Sequence, residues 1–174
     1  MWFKMRRVGL DYIERAGKTY VVECDVDAPR ADVWQAFVDP TTWSEWFPGV
    51  QFASYGNSPE PYGVGTFREA RVGGQRFEEY IVTWEEGKRW AYYIDRATVP
   101  LARAQLECTE FEDRDGGTRV RWILAADRRL LMWLAAPFFQ RTIDSLLRKA
   151  MRNLEAFIQA RRADQHSAGK LVGG

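Results

Sequence analysis

Two neighbouring stretches carry closely spaced groups that could move a proton: "FREARV" at residues 67–72 and "RFEEYIVTW" at residues 76–84. Together they carry Arg68, Glu69, Arg71, Glu78 and Glu79. A carboxylate taken into an apolar interior has a raised pKa unless an arginine meets it. A glutamate–arginine pair there would orient a polar ligand head or act as a weak acid and base. Period-two alternation sends half of these charges inward and half to solvent. On the second stretch, Phe77, Glu79 and Ile81 compete with Tyr80, Val82 and Trp84 for the inner face. The Tyr80 set is the more apolar toward the strand end, which favours leaving the charges on the wet face. If the chain is catalytic, the candidates are Glu79, Tyr92 and Arg71.

Other chemistries fall away. The one histidine, His166, sits near the C-terminal end, in "ADQHSAGKLVGG". That excludes an imidazole base in a buried pocket, and with it Ser/His and Cys/His nucleophilic schemes. Cys24 and Cys108 lack metal-ligand spacing and form no disulfide framework, so no metal site and no cofactor are expected. Both cysteines lie in strand-like runs and read as small buried hydrophobes in a reducing compartment. "GVG" at residues 63–65 leads into a strand rather than a helix and reads as a turn, not a phosphate cradle.

The elements that must position these groups follow from periodicity. Hydrophobic residues make up 46% of the 174 and charged residues 28%, enough for one domain with a full core. Net charge is +1, so no nucleic-acid partner is expected. Arg6-Arg7 and Arg128-Arg129 read as solvated surface. The first residues lack a signal-peptide core, and no run approaches the ~20 apolar residues of a spanning helix; a cytoplasmic protein is expected.

"TYVVECDV" alternates as a half-buried strand. "DAPRADVWQAFVDP" and "TTWSEWFPG" read as two short helices, each closed by proline. Strands follow to Asp127, with hairpins at Gly73-Gly74 and "DRDGG". On the last two, Ala104, Leu106 and Cys108 alternate against Arg103, Gln105 and Glu107, and Val120, Trp122 and Leu124 against Arg119 and Arg121. That predicts one dry face and one wet one. From Leu130 the period turns helical. Pro137 can open a long helix to about Arg162, with Ile143, Leu146, Leu147, Ala150, Leu154, Phe157 and Ile158 on one face. Residues 1–17 are expected to be an N-terminal extension, 18–162 a single domain and 163–174 a disordered tail.

This order, with "VDAPRADVWQAFVDPTTWSEWFPGV" at the front, then "GVGTFREARVGGQRFEEYIVTWEEGKRWAYYI", "GGTRVRW" and "LRKAMRNLEAFIQ", resembles the START/Bet v1-like (SRPBCC) superfamily. It is most similar to the polyketide cyclase/dehydrase-like, lipid-transport group, over residues 18–160. The resemblance implies an α+β helix-grip fold. A curved seven-stranded antiparallel sheet wraps a long C-terminal helix, with two short helices between strands 1 and 2. A cavity between sheet and helix would bind a hydrophobic small molecule, lipid or polyketide-like, as a carrier or sensor. The alternatives are a polyketide cyclase/aromatase or dehydrase acting mainly by positioning, and a co-chaperone-like partner-binding module.

Aromatic residues are 14% of the chain, with eight Trp. Each is open to plain core packing as well as ligand contact. The candidate ligand contacts are Trp46, Trp84, Trp90, Tyr92, Leu106 and Trp122 on the sheet side. On the helix side they are Trp133, Phe138, Leu147, Ala150 and Leu154. "LLMWLAAPFF", Leu130-Phe139, is ten apolar residues and spans about 15 Å as a helix, half a bilayer core. It is expected to be a flap over one end of the cavity, with transient membrane contact through the same stretch as a second possibility. The sequence leaves the oligomeric state open.

Overall fold

The computed structural model describes the backbone of residues 1–100, 102–129 and 136–172, and their side chains except those of 136–140 and 166–172. In chain order the elements are β1 (Phe3–Lys4), α1 (Tyr12–Arg15), β2 (Lys18–Val26), α2 (Arg30–Val38), a 3-10 turn (Pro40–Thr42), α3 (Trp43–Trp46), β3 (Val50–Ser54), β4 (Phe67–Val72), β5 (Gln75–Glu85), β6 (Arg89–Ala97), β7 (Ala102–Arg114), β8 (Gly117–Arg128) and α4 (Ala136–Val172).

The strands form one antiparallel sheet in the order β2-β8-β7-β6-β5-β4-β3, with β1 added beside β6. Seven strands and α4 make the expected helix-grip architecture, and the two short helices lie between β2 and β3 as the resemblance implied. The eighth strand comes from the N-terminal extension.

Local chemistry explains the main turns. Gly73 and Gly74 both take positive φ (56° and 80°), as a two-residue hairpin turn demands. Gly117 is fixed differently: a Cβ there would overlap the Val26 carbonyl, where the start of β8 pairs with the end of β2. Asp39 stops α2 and starts the next turn, its carboxylate accepting from the Thr41 amide at 3.0 Å.

One face of the sheet packs on α4. Leu147, Ala150, Met151, Leu154 and Ile158 are buried there, joined by Phe37 and Trp46 from the short helices and by Trp90 and Trp122 from the sheet. Ile143, Leu146 and Phe157 of the expected stripe are only partly covered. The helix continues past Arg162 to Val172. The apolar stripe has ended by then, but Ala163, Gln165 and Ala168 favour helix and no proline interrupts the run. The expected flap falls on residues 130–135, which lie outside the described residues, so neither Trp133 nor the side chain of Phe138 is placed.

The opposite face stays wet at Arg119 and Arg121 but is dry where the N-terminal segment covers it, and this corrects the reading of β7. Tyr12 and the partly buried Val8, Leu10 and Ile13 of the N-terminal segment cover Ala91, Ala104, Leu106, Cys108, Ile123 and Ala125. Leu106 therefore faces away from α4, and Gln105 and Glu107 face toward it. Alternation shows which residues share a face; it cannot show which face when both are dry.

Strand β5 carries a second correction. Glu79 and Ile81 are buried, paired with Ile94 and Tyr92, so the Phe77 set faces inward and Glu79 is not on a wet face. A β-bulge at Val82 then shifts the register, so that Trp84 pairs with Trp90 and also comes inward. Both rival sets place residues inside, on either side of the bulge.

Candidate functional site

A cavity of about 230 Å³ lies between the sheet and α4. Ala70 and Val72 of β4, Phe77 of β5, Ile94 of β6, Leu124 of β8 and Leu147 of α4 supply much of its apolar lining. Its polar groups are few: Arg68, Glu79, Tyr92, Gln105, Glu107, Arg128 and the hydroxyl of Tyr20.

Arg68 and Glu79 come from directly paired positions on β4 and β5. They form a buried ion pair at 2.5 Å, with side chains 2% and 6% exposed. The guanidinium carbon sits 4.2 Å from the Trp43 ring centroid, 5.3 Å from that of Tyr92 and 5.4 Å from that of Trp90. Three electron-rich faces thus surround a cation removed from water, the condition under which cation–π attraction is strongest. Arg68 Nε and Trp90 Nε1 are buried without a hydrogen-bond partner among the described residues. Burial pushes the Glu79 carboxyl up to about 7, with Arg68 opposing the rise and Glu107 adding to it.

A second polar group adjoins the first. Glu107 Oε2 accepts from the Tyr92 hydroxyl at 2.8 Å and from Trp122 Nε1 at 3.2 Å. Its Oε1 accepts from Gln105 Nε2 at 3.0 Å. Burial, reinforced by the Glu107 and Glu79 charges, holds the Tyr92 phenol well above its ordinary range, so it stays a donor. Further along β8, Arg128 donates to the Tyr20 hydroxyl at 3.1 Å. Arg128, read from the sequence as solvated surface, is half-buried and lines the cavity.

The structure sorts the sequence candidates. Tyr92, Trp122 and Leu147 line the cavity together, and Glu79 lies among them. Trp46, Trp90, Ala150 and Leu154 are buried in the core around it. Trp84 is half-buried and meets Trp34 edge-on at 5.9 Å. Leu106 is on the other face. Arg71 is exposed on the outer side of β4; the arginine that meets Glu79 is Arg68, three residues earlier. Sequence reasoning missed Gln105 and Glu107 because they were assigned to a wet face, and Arg128 because it sits in an arginine pair.

Residues 18–159 match the family model described as polyketide cyclase / dehydrase and lipid transport. The chain belongs to this family. The chain is similar to an uncharacterized protein of Mycobacterium tuberculosis, 26% identical over 160 residues, which cover 91% of this chain and 95% of that one. Among solved structures, a START superfamily protein from Mycobacterium smegmatis superposes with a TM-score of 0.67 at 12% identity, covering 83% of this chain and 99% of that one. The di-domain ARO/CYC StfQ from the steffimycin biosynthetic pathway gives a TM-score of 0.68 at 14% identity, covering 83% of this chain and 52% of that one. These structural likenesses show the fold. The family's scaffold binds hydrophobic ligands, and a common fold leaves the individual activity to the residues of the site.

Proposed function

We propose that this protein binds a hydrophobic small molecule, lipid or polyketide-like, in the cavity between the sheet and α4, as a carrier or sensor in the cytoplasm. The observation that supports this most is the lining: a largely apolar chamber with polar groups gathered on one wall. That is the usual composition of a small-molecule site, where apolar contact supplies affinity and a few polar groups fix orientation. At about 230 Å³ the chamber is larger than the ~150 Å³ cavity that takes a benzene and smaller than the ~300 Å³ lower end of drug-sized sites. It fits a small ring system or part of a longer chain. The free thiols of Cys24 and Cys108 accord with a reducing compartment. No described helix is long and apolar enough to cross a membrane. Membrane contact through Leu130-Phe139 remains part of the proposal, as the route by which an apolar ligand would load.

Organic extraction and native mass spectrometry of the purified protein test the reading. A co-purified apolar molecule is expected. A protein that is empty, and shows no thermal shift with a panel of lipids and polyketide-like aromatics, contradicts it.

One observation favours a catalytic version. Glu79, with its carboxyl near 7, is matched to proton transfer at neutral pH, and it shares the cavity with the Tyr92 donor. In a cyclase or dehydrase of this kind, positioning would supply most of the acceleration. Turnover of the identified ligand that is unchanged in both Glu79→Gln and Tyr92→Phe removes the catalytic version and leaves the carrier.

A further inference from the structure

The two cavity carboxylates differ in how their charge is met. Glu79 has Arg68 at 2.5 Å. Glu107 forms no ion pair with any described residue; its three partners, Tyr92, Trp122 and Gln105, are all neutral donors. Neutral hydrogen bonds satisfy lone pairs without cancelling charge, and a half-buried anion against an apolar chamber stays costly until a cation arrives. Arg68 is already engaged by Glu79. Arg128, the other cation lining the cavity among the described residues, is bonded to Tyr20 and lies four residues along β8 from Leu124, the register partner of Glu107. At ~3.3 Å per residue that is about 13 Å of strand.

The donors also fix the carboxylate's geometry. Two of them hold Oε2 and one holds Oε1, so three of its roughly four acceptor positions are filled and one on Oε1 is left. Tyr92, Trp122 and Gln105 are themselves buried, so Glu107 cannot swing out to solvent without leaving three buried donors unmatched.

We propose that Glu107 is the anchoring point for a protonated amine carried on an otherwise apolar, ring-sized ligand. This rests on the cavity being a ligand site, and it narrows the ligand class. A cationic nitrogen would take the open position on Oε1, form a charge-assisted hydrogen bond and cancel the uncompensated charge in one contact. A carboxylate-bearing ligand of the same shape would meet Glu107 and Glu79 on the same wall and be repelled.

Three probes sharing one apolar body separate the possibilities: 2-(1-naphthyl)ethylamine, 1-ethylnaphthalene and 1-naphthylacetate, titrated into the protein by calorimetry at pH 8. The amine is expected to bind about 10-fold or more tighter than either of the others, the size of a charge-assisted contact. In Glu107→Gln that preference collapses to within about 3-fold. The quantity read is the ratio between probes, and the ranking in the unaltered protein stands even if the variant folds poorly. Equal binding of amine and neutral probe overturns the anchor while leaving the cavity as a ligand site. Tightest binding of the naphthylacetate moves the anchor to Arg128 and overturns it too. Failure of all three probes to bind contradicts the ligand site itself.

Discussion

Breaking the Arg68–Glu79 pair should cost far more from one side than from both. Arg68→Met strands a carboxyl that is 4% exposed, and it also removes the cation held 4.2 Å from the Trp43 ring. Removing one partner of a buried pair destabilises by about 3–5 kcal/mol, because the survivor's charge is left unmet. Glu79→Leu strands the guanidinium and should cost a similar amount. Independent effects would sum to ~6–10 kcal/mol in the double variant. The double variant should instead lie within about 2 kcal/mol of the parent, since no charge then needs solvation and two apolar side chains fill the space. Urea denaturation of all four proteins at pH 8, where Glu79 is ionised in the pair, gives the coupling directly. We expect about 4 kcal/mol or more. Additivity to within ~0.5 kcal/mol would refute the reasoning, for it would mean that the two side chains do not compensate each other.

Glu79 also sets a pH dependence. Its folded value is about 7 against a reference of 4.5, so between those values the folded state holds a proton that the unfolded chain has released. The associated stability is full below about 4.5 and is lost as pH rises to about 7, a change of roughly 3 kcal/mol at 1.36 per unit. Measured by urea titration in pH steps, the parent should therefore lose stability relative to Glu79→Gln on going from pH 4.5 to 7; a flat or rising difference contradicts the assignment. Where β8 begins beside β2, Gly117→Ala should lower stability by about 1–3 kcal/mol through overlap with the Val26 carbonyl, read as a fall in the urea midpoint. An unchanged midpoint would show that β8 can move away from β2.

Much of the fold was legible because its signals are local. The alternation of "TYVVECDV", the proline-bounded stripe around Trp34 and Phe37, and the Gly73-Gly74 and Asp115-Gly116 turns each depend on a few adjacent residues. The site was less legible because it depends on contacts between distant segments. Residues 8–16 dry part of the outer face of β7 and β8, which made Leu106 look like a cavity residue and hid Glu107. The bulge at Val82 puts members of both rival sets inside, so a single alternation across β5 favoured the wrong set for Glu79. Arg68 and Arg71 differ by one flip of the pleat, and only the pairing of β4 with β5 decides which of them meets Glu79.

The central claim is that the space between sheet and α4 is where the ligand sits, and filling it tests that claim most directly. Ala70 is buried on the cavity wall, two residues from Arg68, and Ala70→Phe would place a ring in the chamber. Retention of the co-purified molecule and affinity for 1-ethylnaphthalene are measured on protein shown to be folded by circular dichroism. The account predicts that the molecule is absent and that affinity falls about 10-fold or more. A folded Ala70→Phe protein that keeps both would contradict it.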